Sequence, residues 1–357
     1  MLVAIAFVVS FFFAMNIGGS GAAATMGVAY GSGAISRKRI ALLLCAAGVF
    51  LGSLTGEEVV KTISSGIIPS TVITVKIVII ILSAAAISLF AANMMGIPLS
   101  TSEITVGAVV GVGIAYQELY IQKLLFIVSI WVVVPFIAFA LTYLIGKSFL
   151  HLKKKYPSLE QGTWRKVFTV ALVITGFFEA FSAGMNNVAN SVGPLVSAEL
   201  ISVTKATIIG GAFIAVGTLL FGQRVIETNG KKITNYSPFE GCAISGTGAL
   251  LVIIASLLGL PVPLTQITTS AIIGIGTAKN GFYIWQKRIV IQLLKVWLVS
   301  PVFSLAISYS LVKWLMDSDI YAVAAIVSVC LATLGITSLK KTITEEKRSF
   351  YESSGGI

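Results

Sequence analysis

Two polar stretches interrupt apolar runs at equivalent places in the two halves of this chain. Residues 14–22 are AMNIGGSGA and residues 184–192 are GMNNVANSV, so that Asn16 matches Asn186 at a shift of 170 residues. Breaks of this kind in apolar segments free backbone amides at the starts of half-helices, and those amides attract oxyanions. The sequence therefore predicts anion contacts from four residues: Asn16, Gly19, Asn186 and Asn187.

A second pair of segments carries hydroxyl groups after proline. Residues 98–105 are PLSTSEIT and residues 261–268 are PVPLTQIT, a shift of 163 residues. Proline is common at a helix start, where hydroxyls and unpaired amides gather at the positive end of the helix dipole. We expect this pair to form two facing cradles for an oxyanion, built from Ser100, Thr101, Ser102, Thr265 and Gln266.

Two glutamates stand beside these segments. Glu103 follows the first cradle, and Glu179 lies seven residues before Asn186 in an apolar run. Ionisable residues inside membrane segments are costly and are usually functional. Together with Ser20 and Asn190, these glutamates are candidates for the coupling ion, which is either a proton or a bound Na⁺ ion. We expect no other cofactor or metal, and the absence of a His, Cys or carboxylate cluster disfavours an enzyme.

The composition is that of a membrane protein. Hydrophobic residues make up 56% of the chain and charged residues 11%, and the mean hydropathy is +0.96. The apolar runs have helical length and lack the alternation of barrel strands. Runs 2–34 and 167–200 contain the repeated break, and each is interpreted as a broken span. The predicted fold is an all-α polytopic membrane protein with two inverted-topology repeats, broken helices or helical hairpins, and about 10–12 membrane segments.

The net charge of +11 predicts topology rather than nucleic-acid binding. Placing the basic clusters inside, as the positive-inside rule requires, puts the amino terminus outside and the central loop and carboxyl terminus in the cytoplasm. We expect a multi-pass protein of the cell membrane, in contact with lipid, and a homodimer is one arrangement left open. The expected divisions are a first repeat, a cytoplasmic linker, a second repeat, an extra transmembrane helix and a cytoplasmic tail, at 1–147, 148–164, 165–315, 316–339 and 340–357.

At these motifs the chain resembles the inorganic phosphate transporter (PiT) family. Members carry a duplicated Gly-Ala-Asn-Asp-Val-Ala-Asn-Ala signature and duplicated Pro-x-Ser-Thr-Thr segments. The acidic residue of the signature is Ile17 in the first copy here and Asn187 in the second, and Glu103 stands where the first Pro-Ser-Thr segment usually has histidine. The stretch 14–35 is most similar to the CysP-type sulfate permease branch of the family.

The resemblance implies a secondary active transporter that imports an inorganic oxyanion by alternating access, coupled to protons or sodium. Phosphate keeps a proton near neutral pH that a carboxylate can accept, whereas sulfate has none. The loss of both signature acids therefore favours sulfate. A phosphate symporter of the same architecture is the main alternative, and an anion channel is a further one.

Overall fold

The computed structural model describes residues 1–94, 99–227, 236–282, 288–321 and 323–324, and their regular elements are all helical. They belong to one unit formed by Met1–Ser308 and a second that begins at Tyr309. The principal α-helices are α1 Leu2–Ile17, α2 Gly27–Gly31, α3 Lys38–Ser53, α4 Glu57–Ser65, α5 Val75–Met94, α6 Thr101–Tyr116, α7 Ile121–Lys155, α8 Gly162–Ser197, α9 Val203–Phe221, α10 Pro238–Leu257, α11 Leu264–Asn280 and α12 Arg288–Leu315.

The predicted all-α membrane fold is confirmed. Within the described residues, six helices are long and apolar enough to cross a bilayer, and a seventh span is formed if α3 and α4, bent by 64°, are counted together. Two shorter apolar helices, Thr101–Tyr116 and Val299–Leu315, come in addition. The expected number of about 10–12 segments also included a run at 319–338, most of which lies outside the described residues.

The order of the helices is consistent with a duplicated architecture. Helix α10 begins 163 residues after α5, and α11 begins 163 residues after α6, which is the shift found between the proline segments. The halves also pack on each other reciprocally, because α1 lies against α9 and α3 lies against α8.

Glycines bring these crossed helix pairs into close contact. A Cβ atom on Gly18 would overlap the carbonyl oxygen of Ile214 in α9, and one on Gly184 would overlap the carbonyl oxygen of Val49 in α3. Close backbone approach of this kind is typical of small residues at helix interfaces in membranes. Each half of the chain is therefore held tightly by a helix of the other half.

The two predicted breaks have different outcomes. The first run is interrupted, since α1 passes into a π-helical turn at Gly18–Ala22 and then a turn before α2. The predicted break in the second run is wrong, because α8 is a continuous helix of 36 residues. Glycine disfavours helix strongly and asparagine only moderately, and the side chains of Asn186, Asn187 and Asn190 find partners on other helices without any unwinding.

The predicted central linker, 148–164, is largely helical. Helix α7 continues to Lys155, a short 3₁₀ turn covers Pro157–Glu160, and α8 begins at Gly162. Lysines in the last turn of α7 interact favourably with the carboxyl end of the helix dipole, which helps the helix to extend beyond its apolar part. The predicted tail, 340–357, and most of the predicted helix at 316–339 lie outside the described residues.

Candidate functional site

Helices α6 and α11 begin in the protein interior without side-chain caps. The N-cap residues are Ser100 for α6 and Pro263 for α11, and neither provides a capping hydrogen bond from its side chain. The first amides of a helix have no intrahelical acceptor and carry the positive end of the dipole. Ser100, Thr101 and Ser102 are nevertheless buried. The proline segments thus lead into two helix starts of this kind in the protein interior.

A small cavity of about 10 Å³ lies between the starts of α6 and α11. Both cradles, α8 and the π-helical turn contribute residues to its lining. Its lining residues are Gly21, Leu99, Ser100, Thr101, Asn187, Leu264 and Thr265. The hydroxyl oxygen of Thr265 is buried without a hydrogen-bond partner. This is the point where the structure brings together Ser100, Thr101, Thr265 and Asn187 from the predicted set.

Asn187 presents its amide nitrogen at this cavity. Its Oδ1 accepts hydrogen bonds from the Thr101 hydroxyl at 2.8 Å and from Asn190 Nδ2 at 3.2 Å. These two donors fix the orientation of the side-chain amide. The NH₂ group is therefore the part of Asn187 that is available to a ligand.

Asn186 of α8 hydrogen-bonds to α6, to α10 and to the segment that connects α10 with α11. Its Oδ1 accepts from the Ser102 hydroxyl at 3.1 Å and from the Val262 amide at 3.2 Å. Its Nδ2 donates to the Ser256 hydroxyl at 2.9 Å and to the Leu260 carbonyl at 3.0 Å. Because all four of these hydrogen bonds are internal, the geometry gives Asn186 a positioning role rather than the predicted contact with the anion.

Asn190 supports the same network from one helical turn further along α8. Its Nδ2 lies 3.2 Å from Asn187 Oδ1, 3.3 Å from the Ser102 hydroxyl and 3.4 Å from the Thr101 hydroxyl. Its own Oδ1 is buried without a partner. Asn190, a coupling-ion candidate in the sequence, thus orders the donors of the first cradle.

Glu103 and Gln266 meet behind the cradles. The Gln266 amide donates to Glu103 Oε1, and both side chains are buried. These two residues are repeat mates, 163 positions apart, so that equivalent turns of α6 and α11 touch each other. Gln266 uses its amide in this contact, and the structure does not place it on the small cavity.

The first signature copy contributes less than the sequence predicted. Asn16 Nδ2 donates to the Phe12 carbonyl at 3.0 Å, and the Ser20 hydroxyl donates to the Asn16 carbonyl at 2.8 Å, so both side chains bond within their own helical segment. A Cβ on Gly19 would meet the Cβ of Phe221 at 2.6 Å, which makes Gly19 a packing residue. None of these three lines the cavity, whereas Gly21 does. The signal for Gly21 was its position in the same glycine-rich run.

A second buried carboxyl, Glu179, lies on α8 outside the cavity. It is 1% exposed, and its Oε1 accepts from the Thr268 hydroxyl at 2.9 Å. In the part of the chain that the structure describes, no group of three His, Cys, Asp or Glu residues could hold a metal ion.

A larger cavity of about 540 Å³ opens between α6, α7, α11 and α12. Its walls are apolar and aromatic, with Trp131, Phe136 and Phe139 among them, and Gln266 and Ser270 are its polar members. Apolar walls cannot replace the hydration of a dianion. Of these two cavities, the smaller one therefore has the lining that suits an anion.

An uncharged anion cradle between matched helix starts, inside a helical membrane bundle, defines a secondary transporter. The comparisons agree with this class. A model described as the phosphate transporter family matches residues 17–308. The chain belongs to this family, and it is a multi-pass membrane transporter rather than an enzyme.

Individual relatives are similar over nearly their whole length. The sulfate permease CysP of Bacillus subtilis (strain 168) is 59% identical over 349 residues, which cover 98% of both chains. A putative phosphate permease of Thermococcus kodakarensis is 30% identical, covering 87% of this chain and 97% of the relative. A solved structure titled "The sodium-dependent phosphate transporter" superposes with a TM-score of 0.77 at 25% identity, covering 88% of this chain and 99% of that one.

Proposed function

We propose that this protein imports inorganic sulfate across the cell membrane by alternating access, with the amino terminus outside and the central loop in the cytoplasm. The observation that carries the proposal is the pair of uncapped helix starts facing one cavity, with Thr265 unpartnered and Asn187 offering an NH₂ group. The 59% identity to a protein named sulfate permease supports the choice of anion.

Selectivity for sulfate follows from the hydrogen-bonding character of the cavity. Thr101 and Asn190 occupy the acceptor oxygen of Asn187, so this side chain offers hydrogens to the ligand and no acceptor. Sulfate is an acceptor on all its oxygens and suits such donors. Phosphate still carries a proton near neutral pH, and Asn187 has no free acceptor for that proton, so this side chain favours sulfate over phosphate.

The size of the cavity supports alternating access. About 10 Å³ is the room for a single water molecule, far less than a tetrahedral anion requires. The starts of α6 and α11 must therefore move apart to admit sulfate and close again around it. The contact between Glu103 and Gln266 joins these two helices directly, so it lies where the movement takes place.

Import of a dianion requires coupling to cations. Moving one charge against a membrane potential of 100 mV costs about 2.3 kcal/mol, and a dianion costs about twice that. Two monovalent cations per sulfate would remove this cost.

Phosphate is the second candidate substrate. It is favoured by the family description and by relatives named putative phosphate permeases, one of them 30% identical over 87% of this chain. The same architecture would serve, since the two anions have the same shape.

Uptake by purified protein in liposomes tests the proposal. We expect labelled sulfate to accumulate above its outside concentration under an imposed cation gradient, with little competition from excess phosphate. Strong competition by phosphate together with poor sulfate uptake would assign the protein to phosphate. Sulfate that equilibrates without ever accumulating would indicate a channel.

A further inference from the structure

Two buried glutamates are not used to contact the anion. Glu103 on α6 and Glu179 on α8 are each 1% exposed, and none of the ion pairs among the described residues includes either of them. An ionised carboxylate without a counter-ion is costly in such a place, whereas a protonated one is not. Both groups are therefore suited to carry a proton through the occluded state.

The two carboxyl groups have the same arrangement. In each, Oε1 accepts a hydrogen bond from a side chain near the start of α11: Gln266 donates to Glu103, and Thr268 donates to Glu179 at 2.9 Å. The two donors are two residues apart on the helix that forms one wall of the anion cavity. A movement of α11 therefore changes the surroundings of both carboxyl groups at once.

A serine whose hydroxyl lacks a hydrogen-bond partner lies close to each of the two carboxyl groups. Oε2 of both glutamates is buried without a hydrogen bond, and so are the hydroxyls of Ser300 and Ser245. Ser300 on α12 lies close to Glu103, and Ser245 on α10 lies close to Glu179. A hydroxyl can accept from a protonated carboxyl or donate to an ionised one. Each serine can thus serve its glutamate in both protonation states.

Among the side chains that the structure describes, those next to Glu103 are uncharged. Gln266 donates a hydrogen bond to Glu103 and Ser300 lies close to it, while Lys76 of α5 and Lys123 of α7 are exposed.

Among the described residues, a thiol is the titratable group that interacts with Glu179. Cys45 of α3 interacts electrostatically with Glu179, and the Cys45 thiol donates to the Ala22 carbonyl at 3.1 Å. On the helices of Ser245 and Thr268, Glu240 and Lys279 form an ion pair with each other at 3.2 Å.

We propose that Glu103 and Glu179 each load one proton with every sulfate ion, so that one import cycle carries two protons and no net charge. The two positive charges of the protons balance the two negative charges of sulfate. Each proton forms an O–H bond on a carboxyl Oε2 at the outer face, and this bond breaks when the proton is released inside. This proposal rests on the proposed sulfate transport.

The position of Glu103 explains how loading is coupled to the substrate. Glu103 is in the first turn of α6, the same turn that faces the anion cavity. A dianion there disfavours an ionised carboxylate nearby, so a bound sulfate strengthens proton binding. By linkage, a bound proton strengthens sulfate binding by the same factor.

The test compares net uptake with exchange in liposomes that contain the full-length protein. Wild-type accumulation should follow an inward proton gradient and be insensitive to a potassium-valinomycin potential. The variants Glu103→Gln and Glu179→Gln imitate the protonated residue, so each should still exchange labelled for unlabelled sulfate. Each variant should couple only one proton to each sulfate ion, so its accumulation should fall when the liposome interior is made negative. Movement of one uncompensated negative charge would lower the equilibrium accumulation about fifty-fold per 100 mV, inside negative.

The exposed Glu118→Gln, just beyond α6, is the matched control and should behave as wild type. Wild-type accumulation in either buried variant, or accumulation by the wild type that follows a sodium gradient and ignores pH, would overturn the proposal. If a glutamate variant also loses exchange, the neighbouring serine is substituted instead, Ser300→Ala for Glu103 and Ser245→Ala for Glu179. Each serine variant should shift the pH profile of sulfate uptake. An unshifted profile would contradict the role given to that glutamate. A wild type without any sulfate exchange would instead refute the proposed function.

Discussion

The two copies of the duplicated signature have taken different structural forms. The copy at 14–22 ends α1 in a π-helical turn, and its glycines Gly18 and Gly19 pack against α9. The copy at 184–192 lies within the continuous helix α8, and its asparagines hydrogen-bond to α6 and to the start of the α11 segment.

This contrast shows that a repeat in sequence need not give a symmetric site. The polar network of the second copy reaches across to Thr101 and Ser102, which belong to the cradle of the first half. The first copy reaches the cavity through Gly21, which has no side chain. We therefore expect substitutions in the second copy to change transport far more than substitutions in the first.

The largest effect is expected for Asn187→Asp. The change replaces a donor by a carboxylate beside a dianion, so sulfate uptake should fall by at least about 100-fold while phosphate uptake rises, because a protonated anion gains an acceptor. Initial rates with labelled sulfate and labelled phosphate in liposomes provide the measurement. Undiminished sulfate uptake by this variant would remove Asn187 from the site.

Asn186→Ala should act mainly on stability. The substitution abolishes four internal hydrogen bonds and leaves buried partners such as Ser256 unpaired, at a cost of about 2 kcal/mol or more. Thermal unfolding of the purified protein should show a lower Tm. A variant with unchanged Tm and lost uptake would instead indicate a direct contact with the anion.

Two hydroxyl deletions separate the two cradles. Thr265→Ala removes an unpartnered hydroxyl at the cavity and should raise the KM for sulfate about tenfold without lowering the Tm. Ser102→Ala removes a donor to Asn186, so it should lower stability by about 1 kcal/mol with a smaller change in KM. A lower Tm for Thr265→Ala together with a higher KM for Ser102→Ala would instead make Ser102 the contact with the anion and Thr265 the stabilising residue.

The smallest effect is expected for Asn16→Ala, the match of Asn186 in the first copy. Asn16 bonds to the Phe12 carbonyl of its own helix and does not line the cavity, so sulfate uptake should stay within about twofold of wild type. A loss comparable to that of Asn187→Asp would show that both copies contact the substrate.

Sequence patterns predicted the architecture better than the local detail. The shift of 163 residues anticipated two matched helix starts, and the structure even joins the matched residues Glu103 and Gln266. The break in α8 was wrongly predicted because asparagines in an apolar run show that polar groups are present but not how their hydrogen bonds are satisfied. Here the asparagines hydrogen-bond to other helices, and α8 stays continuous. Ser245 and Ser300 could not be singled out, since only tertiary packing distinguishes them from the other serines of the apolar helices.

The interlocked packing of α1 on α9 and of α3 on α8 has a consequence for how the molecule works. Backbones that touch through glycine cannot slide apart without losing their contact, so the first half of the chain cannot swing away from the second as a rigid block. This packing favours mobile bodies that each combine helices from both duplicated segments. The unit that evolution copied is thus different from the unit that moves.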